Sequence, residues 1–180
     1  MSEKSRIMKS PVNGKEPKIH PSVFVAPTAT IIGDVEIEEG TNIWFGAVIR
    51  AEASKIKIGK NCSIQEQVVI HTEPGTELHI GDNVLMGHCA IVHGPGEIGN
   101  NVMVGISATV LQNHKIEDNI LIAAGSVARG KYESMGMYAG VIAKKKKDLR
   151  KSNIRGLQTG IMFYVENGRK FKAFFDESRE

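Results

Sequence analysis

Three of the six histidines of this chain, His71, His88 and His93, are spaced so that they can do chemistry together. Imidazole nitrogen is the commonest protein ligand of zinc and its neighbouring transition metals, at about 2.0–2.1 Å. His71 and His93 sit in matching contexts, Val69-Ile70-His71 and Ile91-Val92-His93, and Arg50 follows Ile49 in the same way. His88 precedes His93 by five residues. Five extended residues span roughly 16 Å, so a strand between them keeps His88 off any ion that His93 holds within one chain. His20 and His79 are ordinary surface positions beside core residues. His114, in the loop from Leu111 to Lys115, reads as a hydrogen-bonded structural histidine.

The elements that position these residues follow from a period of six. Every sixth residue from Ile80 to Ile122 is aliphatic or Met, and the same beat runs from Ile19 to Ile49, with small residues such as Ala29, Ala47, Ala90 and Ala108 between. This is neither the 3.6 period of a helix nor the alternation of a flat strand. It is the hexapeptide pattern of a β-helix, an all-β solenoid in which three hexads close one triangular coil of about 18 residues. Coils stack at the strand spacing of roughly 4.8 Å. Nine residues separate Ile49 from Ile58 and ten separate Ile70 from Ile80, so the loops near 53–56 and 73–78 hold three and four extra residues. With these removed, Arg50, His71 and His93 fall one coil apart, in a column on one edge of the prism. Glu66 falls one coil below His88, with Gln65 beside it. If three prisms pack around a threefold axis, His88 of one chain meets the His71 and His93 column of the next, giving three identical three-histidine sites.

Composition fits a single domain with one continuous core: 180 residues, of which 41% are hydrophobic. Cys62 and Cys89 read as core fillers in a reducing compartment. With no signal-like apolar segment at the N-terminus and no run of 18 apolar residues, a cytoplasmic, non-membrane protein is expected. The formal charge of +3 is uneven, because residues 141–180 carry 11 Lys or Arg against 5 Asp or Glu, leaving −3 for the first 140. The run Lys144 to Lys147 has no interleaved aromatics, so a solvated stretch and no nucleic-acid partner are expected.

Three regions follow: an N-terminal arm over 1–18, the solenoid over 19–130, and a crossing segment with a C-terminal helix over 131–180. In the last, Ile154, Leu157, Ile161, Tyr164, Phe171 and Phe175 recur at three- and four-residue steps, with Gly168 in the missing place. They form one face of a helix, starting near an N-cap at Ser152, that would pack on the flank of the solenoid. Asn167-Gly168 is a point where it could break.

The stretches Ile49-Arg50-Ala51-Glu52, Ile64-Gln65-Glu66-Gln67-Val68-Val69-Ile70-His71 and Val84-Leu85-Met86-Gly87-His88-Cys89-Ala90-Ile91-Val92-His93-Gly94 resemble the gamma-class carbonic anhydrase family of hexapeptide-repeat proteins. The resemblance covers about residues 18–130 and, more loosely, the terminal helix. It implies a homotrimer of left-handed parallel β-helices, each with a C-terminal α-helix on its flank. It also implies zinc, with iron or cobalt as alternatives, held by His71 and His93 of one subunit and His88 of another. The implied activity is reversible hydration of CO2 to bicarbonate by metal-bound hydroxide. Arg50 and, beside it, Glu52 resemble the family's interface pair, Gln65 the residue that hydrogen-bonds the metal-bound solvent, and Tyr164 a tyrosine that the helix brings to the pocket.

The chain departs from the family in its acids. Arg50-Ala51-Glu52 stands where Arg-Gly-Asp is usual and Gln65-Glu66 where Gln-Asp is usual; Ala53 replaces a carboxylate, and the loop after His71 is short. Proton export must then use Glu52, Glu66, Glu73 or external buffer. Two rival classes stand beside this one. A hexapeptide acyltransferase would need a histidine base and usually a long loop excursion, whereas the longest insert here is four residues. A non-catalytic metal-stapled scaffold or small-ligand binder needs neither.

Overall fold

The structure, a computed structural model, describes residues 6–177. It is a left-handed parallel β-helix with one long helix on its flank. The first face of the prism is built from Arg6–Met8, the opening parts of Thr30–Ile37 and Val48–Ile58, then Val69–His71, Ile91–His93, Thr109–Val110 and Val127–Ala128. Thr30–Ile37 and Val48–Ile58 turn a corner and continue into the second face, above which stack Glu77–Ile80, Gly96–Ile98, His114–Ile116 and Lys131–Tyr132. The third face runs from Phe24–Val25 through Asn42–Ile43, Ser63–Ile64, Leu85–Met86, Met103–Val104 and Leu121–Ile122 to Gly136–Ala139. An antiparallel strand, Lys144–Asp148, closes it.

The six-residue beat fills the core. Ile31, Ile49, Ile70, Val92 and Val110 form one inward pillar, Ile37, Ile58, Ile80, Ile98 and Ile116 a second, and Ile43, Ile64, Met86, Val104 and Ile122 a third. Burying a side chain of this kind contributes about 1.5–3 kcal/mol. Corners need left-handed backbone, and residues that tolerate it recur there, among them Asn61, Asn83, Asn101 and Asn119.

The solenoid runs past the boundaries drawn at 19 and 130. Arg6–Met8 adds a rung below Thr30–Ile32, and Lys131–Tyr132 and Gly136–Ala139 add rungs above Ile116 and Ile122. Aromatics replace aliphatics in that last coil. Tyr132 and Tyr138 meet edge to face with ring centroids 4.8 Å apart, and their hydroxyls donate to the carbonyls of Ala143 and Glu133. Because tyrosine can end a core while its hydroxyl reaches backbone, the pair plugs the open end.

The helix, Lys151–Glu177, lies along the third face. It begins one residue before Ser152: Asn153 Oδ1 accepts from the Arg150 N–H and so caps the first turn. It is unbroken at Asn167-Gly168. Gly168 is buried, and a Cβ there would meet the Asn42 Cβ at 2.8 Å, so the glycine permits close approach instead of ending the helix. Phe171 and Phe175 pack on Phe24. Among the described residues no helix is long and apolar enough to cross a membrane.

Candidate functional site

The register places Arg50, His71 and His93 directly opposite one another on successive rungs of the first face, as the spacing predicts. The two imidazole rings are perpendicular, with centroids 5.4 Å apart. His71 Nδ1 is 2.8 Å from the Arg50 carbonyl oxygen. A carbonyl only accepts, so that nitrogen carries the proton and Nε2 is left with its lone pair. His93 Nδ1 is buried with no hydrogen-bond partner, and its Nε2 lies 3.7 Å from Glu73 Oε1.

The two inserts stack on each other beside this pair. The Gly75 N–H donates to the Ala53 carbonyl and the Lys55 N–H to that of Thr76, making a lip just beyond the column. Glu52 pairs with Arg50 of its own chain, and its Oε2 is buried, unpartnered, and 3.9 Å from His71 Nδ1. Periodicity offered no sign of what holds the lip from below. Ser10 is buried, its hydroxyl donating to the Glu52 carbonyl at 2.6 Å, and Lys15 reaches Asp34 at 2.6 Å.

His88 is at the other end of the face, on the corner after Leu85–Met86. Its Nδ1 lies 2.7 Å from Glu66 Oε2, one coil below. Gln65 is buried, its Oε1 accepting from the His88 backbone N–H at 3.2 Å, which leaves its NH2 as a donor. Among the described residues of one chain, no three His, Cys, Asp or Glu side chains converge as a metal site. Between the two ends, the outward side chains Val69 and Ile91 are exposed, and Ile106 is exposed on the corner above His88. Tyr164 is partly buried on the third face, against Leu85, Ile161 and Val165 and edge-on to Trp44 at 6.4 Å.

The other cysteine and histidine expectations divide. Cys62 is fully buried and its thiol is pushed up to about 12 by that burial, so it is a core filler. Cys89 is exposed, because its place after His88 is a left-handed corner and not an inward position. His114 is buried, its Nδ1 is bonded to the Leu111 carbonyl at 2.9 Å, and burial holds its pKa below the ordinary imidazole value.

The pattern of the bacterial transferase hexapeptide (six repeats) family matches residues 16–51. A hexapeptide transferase family protein from Anaplasma phagocytophilum superposes over 95% of this chain and 99% of its own, with a TM-score of 0.86 and 31% identity. A candidate acetyltransferase from Bacillus cereus gives a TM-score of 0.90 at the same identity and coverage. Gamma carbonic anhydrase 2 of Arabidopsis thaliana is 42% identical over 86 residues, 44% of this chain and 31% of the relative. The chain belongs to the hexapeptide transferase family of hexapeptide-repeat proteins. Another relative of this hexapeptide-repeat chain, a carbonic anhydrase of Geobacillus kaustophilus, is 43% identical over 83 residues. That match spans 46% of each protein, so the curated relatives are matched over less than half of their length.

Proposed function

We propose that this chain forms a homotrimer that hydrates CO2 reversibly to bicarbonate at three metal sites between subunits. Each site takes His71 and His93 from one chain and His88 of the partner subunit. The observation that carries the reading is the His71–His93 pair: two imidazoles in register, His71 locked by a backbone carbonyl with Nε2 unprotonated, and a buried His93 nitrogen without a partner. Three neutral nitrogen donors fit zinc, and also iron or cobalt. The exposed Val69 and Ile91 between the two ends suit an interface that brings the next chain's corner onto this edge.

When bound, the ion would supply the Lewis acidity that brings the ionisation of water down to near neutral pH. The chain supplies orientation. The Arg50 carbonyl fixes the tautomer of His71, and Glu66 does the same for His88 by accepting from Nδ1, so that each Nε2 is the nitrogen that would hold the ion. Gln65, whose oxygen is committed to the His88 backbone, offers its NH2 to the reacting oxygen. Val69 and Ile91 exclude water from the approach. Arg50, through Glu52 or its counterpart on the neighbouring chain, secures the contact. Tyr164, on the helix, packs against the cluster that includes Leu85 of the rung leading to His88 and would complete the wall from that side. With Ala53 in place of an acid, the proton leaves to buffer.

The test is metal analysis with a CO2-hydration assay on freshly purified, anaerobically handled protein. About one ion per chain with hydration activity is expected. Metal without hydration under zinc, iron or cobalt loading transfers the assignment to a metal-stapled scaffold, and metal-free protein that transfers acyl groups from a thioester transfers it to an acyltransferase.

A further inference from the structure

The C-terminal end of the solenoid carries a feature that CO2 hydration does not use. Between Arg129 and Lys151 lie eight basic residues, Arg129, Lys131, Lys144, Lys145, Lys146, Lys147, Arg150 and Lys151, against two acids, Glu133 and Asp148. The strand Lys144–Asp148 is exposed at every residue and pairs on one side only, with Gly136–Ala139. Just before it, Val141 bridges Val127 as the start of a further coil, on which nothing stacks among the described residues. There Val141 is 77% exposed and Ile142 44% exposed.

From this end we infer that the protein docks on an anionic membrane surface, the lysines meeting lipid phosphates and Val141-Ile142 entering the headgroup boundary. Lysines on an open edge strand also guard against strand-to-strand association. Edge protection accounts for the strand, but not for the surrounding Arg129, Lys131, Arg150 and Lys151, nor for two bare aliphatics at its start. A nucleic acid has no use for those aliphatics, and a single strand would also need stacking surfaces that Tyr132 and Tyr138 do not provide, being buried against each other. Basic side chains around an exposed apolar tip are the combination that binds headgroup regions. This departs from the sequence-based expectation of a non-membrane protein with a solvated lysine run, because the fold sets that run beside an apolar tip. The inference goes beyond the proposed hydration activity and holds for a single chain; in a cyclic trimer all three ends face the same side and add avidity.

Vesicle flotation tests it, using the full chain with phosphatidylcholine alone and with phosphatidylcholine containing phosphatidylglycerol, and with oligomeric state measured on the same samples. Binding to the anionic vesicles only, weakening as salt rises, is expected. Lys146→Glu with Lys147→Glu should reduce it by at least about tenfold, and Val141→Ser with Ile142→Ser by several-fold. Metal content and melting temperature should stay unchanged in both variants. A Lys146→Gln, Lys147→Gln pair, with its intermediate loss, guards against misfolding of the charge reversal. Equal binding to both vesicles, no binding to either, tighter binding to duplex DNA or RNA homopolymer, or lysine variants that only self-associate would each overturn the inference.

Discussion

At one edge of the first face His71 is 17% exposed, hydrogen-bonded through Nδ1 to the Arg50 carbonyl and set in register with His93. At the opposite corner of the same face His88 is 44% exposed and turned toward Glu66. The first end is organised by the fold of one chain: strand pairing stacks its residues and the lip of inserts walls them. The second is organised only in part. Its ring has a tautomer and an anchor but lies the width of a face away from the other two. In the proposed trimer, a ligand set divided in this way would couple metal binding to assembly, since neither end alone supplies three donors.

The strongest way to break this comparison is to mutate the two ends separately and then mix them. His93→Ala and His88→Ala should each lose metal and lower CO2 hydration on the order of a thousandfold or more. When the two variants are mixed and reassembled, interfaces that join an intact column to an intact His88 reappear, and about a quarter of the sites should recover. If activity stays absent after mixing, the division between subunits is wrong.

Orientation should show next. Gln65→Ala is expected to keep its metal but turn over 10- to 100-fold more slowly, roughly the effect of losing an outer-shell partner. Arg50→Ala should instead show in sedimentation as weaker association. Equal metal loss in both would erase the distinction between a hydrogen-bonding role and an interface role.

A smaller effect concerns the lip. With Ala53 where an acid could stand, hydration should rise with the concentration of an imidazole-type buffer, and Ala53→Glu should raise it a few-fold at low buffer. Fast turnover that ignores buffer would mean that Glu52, Glu66 or Glu73 already exports the proton.

The smallest effect sharpens what separates these histidines from one that is purely structural. His114 is buried with its pKa held below the ordinary value of 6.5. The unfolded chain therefore takes up the proton first, and the stability that the neutral ring contributes is complete above about pH 6.5 and declines as pH falls below it. In urea melts of metal-free protein, His114→Gln should lose this decline while Gln65→Ala keeps it.

The period of six determined the coil, and the two interruptions of the period determined which residues share a column. That was enough to place Arg50 over His71 and His93, and Glu66 under His88, because in a solenoid sequence separation converts to position by counting. The helix face was legible for the same reason, as a repeat of three and four. Counting failed where the chain leaves its period. It put Cys89 inside, although the residue after His88 takes a left-handed corner that exposes it. It ended the coils at 130, although Tyr132 and Tyr138 carry the core onward in place of aliphatics. It marked Asn167-Gly168 as a point where the helix could break, although Gly168 is where helix and Asn42 meet closely. It was silent on Ser10, whose bond to the Glu52 carbonyl joins residues 42 apart in the chain. A periodic pattern specifies contacts between equivalent positions in successive coils. Corners, ends and clasps depend on contacts between positions that are not equivalent, and only the folded molecule brings those together.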